Sequence, residues 1–365
     1  MRRLILSVFV LLAACADRDA APILPSALNA GTNIPIFVGT TRQIGTQGEL
    51  TRDRAAELAF FKYDISAPPG RKPGTVPQGH DRPDPAKHFV FASQGKFNDA
   101  SEFENALSQH IKQRPKSDRE VTIYVHGYNN SFSDGTFRLA QLKQDLKLPG
   151  TAVHYSWPSS GNPLGYTYDR DSVLIARDGL EQLLLSVQVA NPSKIILTGH
   201  SMGTLLIMET LRQIEIRSPG WAQRSLDGVV LMSSDIDLDL FKTQAARIES
   251  LPEPFAIFVS DRDRALQLSA RLNGSRKRLG ALDDISEVGN LPVTLVDVSK
   301  FASLRDGGHF TPGTSATLVQ ILGNIASLDQ AFRSDRAGRA GILPGTVITL
   351  RNATQLILSP NLLKE

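Results

Sequence analysis

Between residues 121 and 299 the sequence alternates two kinds of segment, and this alternation restricts the possible folds more than any other feature. The first kind is short and almost continuously apolar, rich in β-branched residues: "VTIYVHG" (121–127), "TAVHYSW" (151–157), "KIILTG" (194–199), "GVVLMSS" (228–234), "FAIFVS" (255–260) and "VTLVDVS" (293–299). The second kind is longer and apolar at helical period, as in "DSVLIARDGLEQLLLSVQVA" and "MGTLLIMETLRQIEI". A strand without polar alternation is buried on both faces, and the intervening helices are what bury it. The expected class is therefore α/β: a doubly wound, mainly parallel sheet with helices on both faces. Two earlier runs, "IPIFVG" (34–39) and "HFVFAS" (88–93), bring the sheet to about eight strands. With 41% hydrophobic residues the chain can bury a sizeable core, and the pattern reads as one domain over residues 34–328. The proline- and glycine-rich stretch at 66–85 reads as a surface connection within that domain.

The ends read differently. "MRRLILSVFVLLAAC" sets Arg2 and Arg3 before an apolar stretch from Leu4 to Ala14. That stretch falls short of the ~20 residues a spanning helix needs, so residues 1–14 are expected to be a signal peptide. Cys15 is the chain's single cysteine and follows directly in "LAAC", which resembles a bacterial lipobox. It is the expected lipidation site, with an ordinary secretory signal as the alternative. Residues 15–33, small, polar and proline-punctuated, are expected to be a lipidated tether. Lipidation implies a bacterial envelope location, and Ala16 after the cysteine favours the outer membrane, facing the periplasm. Residues 329–365 form a C-terminal extension without a readable role. The net charge is +3 and no basic run is interleaved with aromatics, so no nucleic-acid partner is expected.

The chemistry centres on "GHSMG", residues 199–203. It stands where an apolar strand meets a helix, and in an open parallel sheet ligands bind beyond the carboxyl ends of the strands. G-x-S-x-G at such a join puts Ser201 on a sharp, strained turn with its hydroxyl exposed, the glycines leaving room for the neighbouring strand and helix. A serine hydroxyl needs a base within hydrogen-bond reach, and the base needs an orienting acid. His309, in "DGGHF" beyond the last apolar strand, is the expected base. Three acids compete: Asp235, Asp261 and Asp263. Loop placement favours Asp263, leaving Asp261 to cap the following helix and Asp235 to its own loop. The Met202 N–H at the helix start and the Tyr128 N–H after "HG" are the expected oxyanion donors. His126, His154 and His200 are given structural roles.

Taken together, "HGYNNSF", "GHSMG", "DRDRAL" and "GGHF" resemble the α/β-hydrolase superfamily. "IFVGTTR", "YSWPSSG", "YDRDS" and "SSDIDLDLF" further resemble a bacterial esterase/lipase-like subfamily, domain of unknown function 900. The resemblance spans about residues 34–328. It implies an α/β-hydrolase fold with Ser201, Asp263 and His309 at the triad positions, and it names no substrate. Ser260 departs from the glycine that many such enzymes carry three residues before the acid.

Only residues 236–254 separate "SSD" from "FAIF", enough for one short helix, so a large lid is not expected there. The segment 157–171 is a candidate cover, with Trp157, Tyr166 and Tyr168 as expected substrate-contacting residues or, alternatively, plain packing. No H-E-x-x-H, paired C-x-x-C or phosphate-cradling loop occurs, so no metal or other cofactor is expected. The expected function is hydrolysis of a small to medium carboxylic ester. An acyltransferase with the same residues, or a non-catalytic envelope binding protein, is the alternative.

Overall fold

The structure, a computed structural model, describes residues 21–272, 274, 277–302, 308–323 and 345–358. The expected signal segment, residues 1–14, and the expected lipidation site, Cys15, lie outside them. One eleven-stranded sheet runs through the molecule. Its strands are β1 (Thr32–Ile44), β2 (Leu50–Ala67), β3 (Val90–Phe97), β4 (Glu120–Val125), β5 (Thr151–Ser156), β6 (Lys194–His200), β7 (Gly228–Met232), β8 (Phe255–Val259), β9 (Thr294–Asp297), β10 (Gly345–Leu350) and β11 (Ala353–Leu358). Their spatial order is β10-β11-β9-β8-β7-β6-β4-β5-β1-β2-β3. The strands from β11 through to β1 in that order are mutually parallel, while β2, β3 and β10 pair antiparallel.

Among the described residues ten helices lie between the strands: α1 (Ala100–Lys112), α2 (Phe132–Asp145), α3 (Tyr166–Ile175), α4 (Arg177–Val189), α5 (Met202–Arg217), α6 (Trp221–Ser225), α7 (Leu238–Ala245), α8 (Arg264–Leu272), α9 (Thr311–Thr314) and α10 (Ala316–Gly323). The sheet's period of two distributes its side chains to two cores. On β4, Val121, Ile123 and Val125 join one core with Leu107, Leu183, Leu206 and Phe241 of α1, α4, α5 and α7. Tyr124 faces the other core, with Phe137 and Leu142 of α2 and Leu318 of α10. Both faces are thus dry, as the unalternating strand sequences require.

All eight expected strands are present, and the described residues hold three more. β2 has no apolar run in its first half, "LTRDRAAEL", because that half is largely solvated and its backbone is held by antiparallel pairing with β1. β10 and β11 correct the reading of the C-terminal extension. They form a hairpin whose second strand adds parallel to β9, burying Ala353, Leu356 and Leu358.

The tether needs a correction too. From Ala21 onward it is packed on the domain: Leu24 N–H donates to Phe91 O at 2.8 Å, and Ala27, in a 3-10 turn over Pro25–Asn29, is buried against Val90 and Ala92. Its apolar residues pair with β3, which a free linker would not do. Among the described residues no helix is long and apolar enough to cross a membrane.

Candidate active site

The join between β6 and α5 is as tight as its sequence suggests. Ser201 has φ +52° and ψ −123°, a conformation costing a non-glycine residue ~1–3 kcal/mol. Its surroundings hold it there: its N–H donates to Met232 O at 3.0 Å, and its carbonyl accepts the Thr204 hydroxyl at 2.6 Å. A Cβ on Gly203 would lie 2.3 Å from His126 O, and one on Gly199 would lie 2.7 Å from Ile207 Cδ1. The two glycines therefore let α5 start against the end of β4 and fold back on β6.

His309 brings the partners together. Its Nε2 lies 3.0 Å from Ser201 Oγ, and its Nδ1 lies 2.9 and 3.1 Å from Asp263 Oδ2 and Oδ1. Because a carboxylate only accepts, the proton sits on Nδ1 and the Nε2 lone pair faces the serine hydroxyl. Asp263 is wholly buried, and its Oδ1 also accepts Leu266 N–H at 3.0 Å, capping α8. The expected division of labour, with Asp261 as the cap, is thus corrected: one carboxylate does both tasks. Asp261 is exposed, its N–H donating to Ser299 Oγ at 3.1 Å and its carbonyl accepting from Gln267 Nε2 at 2.9 Å. The reason is the turn after β8, which closes when Asp263 N–H donates to Ser260 O at 3.4 Å. Ser260, the departure from glycine, supports this turn by accepting Arg262 N–H on its own hydroxyl at 3.3 Å.

Asp235 belongs to a different group. It is buried against Arg278, whose Nε lies 3.3 Å away, and it accepts Ser269 Oγ at 2.6 Å and Tyr166 OH at 3.0 Å.

The second wall of the site is the end of β4. A Cβ on Gly127 would sit 2.9 Å from Ser201 Cβ and 2.8 Å from His200 Nδ1, so only glycine lets this backbone pass so near the serine. Tyr128 follows. Among the described residues neither its N–H nor that of Met202 donates to a protein acceptor. The Tyr128 ring meets Tyr166 edge-on, centroids 5.5 Å apart, and its hydroxyl donates to Pro163 O.

Three other histidines, His126, His154 and His200, are buried, and burial disfavours their charged form. Burial pushes the His126 pKa down to about 3 and lowers that of His200 well below the ordinary imidazole range, the charge of neighbouring His309 adding to the effect on His200. His154 is lowered well below it too, by burial first. His126 Nδ1 and Nε2 lie 2.9 and 3.0 Å from the carbonyls of Gly127 and Trp157, tying the two loops together. The His200 ring lies 4.9 Å from that of His309 and 4.2 Å from Phe310, filling the space beside His309.

The three aromatics expected to line a pocket separate. Trp157 is fully buried, stacked on His126 at 4.9 Å, with its indole N–H on His126 O at 2.7 Å. It is core, because the strand end of β5 turns it inward. Tyr168 faces β2, where Arg54 lies 4.0 Å over its ring and its hydroxyl donates to Arg52 O at 3.2 Å. Tyr166 alone of the three adjoins the site, through Tyr128 and Asp235. The short helix α7 buries Phe241 in the core, and the solvent-facing tip of the 157–171 segment is Leu164, 91% exposed.

Two buried charged residues were not assigned from the sequence: Arg42 and Asp169, both with no exposed surface, under the Tyr128 loop. The signals were present in "IFVGTTR" and "YDRDS", which carry the subfamily resemblance. No group of three or more metal-ligating side chains occurs among the described residues.

The sequence model of a family described as alpha/beta hydrolase of unknown function (DUF900) matches residues 99–325. Among solved structures, an esterase of Pyrococcus furiosus is similar at 13% identity, over 47% of this chain and 79% of that one, with a TM-score of 0.24. No curated protein matches.

Proposed function

The chain belongs to the alpha/beta hydrolases of unknown function (DUF900), and from that premise we propose that it is a serine carboxylesterase working through an acyl-enzyme on Ser201. The observation that carries the reading is His309 bridging Ser201 Oγ at 3.0 Å and Asp263 Oδ2 at 2.9 Å from opposite ring nitrogens. Ser201 Oγ attacks the ester carbonyl carbon while His309 Nε2 takes its proton. The tetrahedral oxyanion is held by the N–H groups of Tyr128 and Met202. Collapse breaks the bond to the leaving oxygen, which receives the proton from His309 as the alcohol departs. Water then attacks the acyl carbon, gives its proton to His309, and releases the acid with Ser201 restored. Asp263 keeps the Nδ1 proton in place and stabilises the imidazolium of both steps.

The short helix α7 between β7 and β8 supports small to medium ester substrates, since no large lid is inserted there. Tyr166, beside Tyr128, contacts the substrate in this reading. The enzyme is further proposed to be anchored in the bacterial envelope, at the outer membrane facing the periplasm, by a lipid on Cys15. Arg2, Arg3, the apolar stretch to Ala14 and the absence of any second cysteine support that anchor.

The test is turnover of p-nitrophenyl esters of increasing acyl length by the wild type and by Ser201→Ala, repeated with an added alcohol acceptor. Hydrolysis that the variant loses supports the esterase. Ester product formed on the acceptor in preference to free acid replaces it with an acyltransferase, and equal rates in both proteins overturn the nucleophile.

A further inference from the structure

The loop that carries Tyr128 rests on a buried polar network drawn from separate parts of the chain. Arg42, near the end of β1, donates from Nε to Ser156 Oγ at 2.9 Å, from Nη2 to Asn130 O at 2.9 Å, and from Nη1 to Thr51 O at 3.2 Å and Ser159 O at 3.3 Å. Asp169, in the first turn of α3, accepts Ser160 N–H at 2.7 Å on Oδ1, and on Oδ2 accepts the Ser159 hydroxyl at 2.6 Å and Asn129 N–H at 3.1 Å. Ser159 Oγ in turn accepts Asn130 N–H at 3.1 Å. Asn130 closes the circuit, its Nδ2 donating to Tyr128 O at 2.8 Å and Gly127 O at 3.3 Å.

Five backbone groups of residues 127–130 are thereby fixed: the carbonyls of Gly127, Tyr128 and Asn130, and the N–H groups of Asn129 and Asn130. The Tyr128 N–H is not among them. Asn129 sits at φ +56°, a left-handed conformation that persists where the surroundings over-determine it. Burying a guanidinium and a carboxylate is a costly way to stabilise a fold, since well-packed apolar residues often do as well. What ionic groups add is direction: each donor and acceptor fixes one partner at one angle.

We propose that Arg42, Ser159 and Asp169 are positioning residues of the oxyanion loop, setting the direction in which Tyr128 N–H points. This rests on the reading of that N–H as an oxyanion donor. It gives a role to "GTTR", "WPSS" and "YDRD", three motifs that the catalytic chemistry itself leaves unused.

The test uses Asp169→Asn and Ser159→Ala in the full chain. Fluorophosphonate titration counts competent sites, and kcat is expressed per titrated site. Misdirecting one donor is expected to lower that kcat about ten- to hundred-fold, somewhat less than removing it. KM for p-nitrophenyl acetate should move less than threefold. The Ki of an alkylboronic acid, which places an oxygen in the oxyanion position, should weaken in proportion to the loss in kcat/KM. The acid limb of the pH profile, which reports the general base, should stay in place. Fewer titratable sites with wild-type kcat per site, or a shift of the acid limb, overturns the proposal while leaving the esterase reading standing. A wild type that neither labels nor hydrolyses any ester overturns both. Should Asp169→Asn fail to fold, Ser159→Ala, which removes a single hydroxyl, decides.

Discussion

Replacing Asp263 by asparagine separates the acid's two tasks. As the cap of α8, its Oδ1 accepts Leu266 N–H at 3.0 Å, and asparagine caps a helix about as well as aspartate. The amide oxygen is therefore expected to stay at the Oδ1 position, which puts the NH2 group where Oδ2 now lies, 2.9 Å from His309 Nδ1. That NH2 can only donate, so Nδ1 must become the acceptor and the ring proton moves to Nε2, facing Ser201 Oγ across 3.0 Å. In this tautomer the histidine cannot take the serine's proton, and the imidazolium loses its counter-charge. The expected loss is two to four decades in kcat, or about 3–5.5 kcal/mol of barrier at ~1.36 kcal/mol per decade. The assay is p-nitrophenyl butyrate turnover near neutral pH, with thermal unfolding as the control, in which the midpoint should shift by only a few degrees. Asp261→Asn should stay within about tenfold of wild type, and so should Asp235→Asn per folded molecule, although that change leaves Arg278 buried without its partner and should destabilise the fold. An Asp263→Asn enzyme within tenfold of wild type, or a larger loss at Asp235, would refute the tautomer argument.

Other outcomes follow from particular contacts. Gly127→Ala puts a methyl group 2.9 Å from Ser201 Cβ, so kcat should fall at least about hundred-fold as the oxyanion loop is pushed back; unchanged kinetics would show that this backbone does not face the reaction. Burial depresses the pKa of His126, His154 and His200 in the fold, so the unfolded chain binds their protons first as pH falls below ~6.5. Each such proton costs about 1.4 kcal/mol of stability per pH unit down to the folded pKa, and denaturant unfolding should show a clear loss between pH 7 and pH 5; a flat profile contradicts their burial as neutral rings. Cys15→Ser should abolish incorporation of labelled fatty acid and release the chain from the envelope fraction or leave it unprocessed, whereas an unmodified wild-type chain starting beyond Cys15 contradicts the anchor.

What the sequence discloses depends on how local the cause is. β4 to β9 are legible because burial on both faces demands apolar residues at nearly every position, and the elbow is legible because its pattern occupies five consecutive residues at a strand-to-helix join, even though Gly203 makes room for the distant His126 O. β2 is hidden because pairing with β1 organises a charged stretch, "TRDRAAEL", that has no strand pattern of its own. β10 and β11 lie beyond the last helix, where nothing local says that they return to β9. The same limit appears around the site. His309 and Asp263 follow from strand order, but which aspartate caps α8 depends on a turn closed by Ser260, and Trp157 faces inward because its indole reaches His126 O on another loop. The network under Tyr128 joins Arg42, Asn130, Ser159 and Asp169 across 127 positions of sequence (169 − 42), and no periodicity reveals such a contact.

The central claim, that Ser201 is the nucleophile of a hydrolase, is tested most directly by labelling the wild type with a fluorophosphonate and mapping the adduct by peptide mass spectrometry. One phosphonate per chain is expected, on the peptide that contains Ser201, with no label on Ser201→Ala and ester turnover by that variant lower by about three decades or more. An adduct on another residue, or a Ser201→Ala protein that still hydrolyses esters at the wild-type rate, would contradict it.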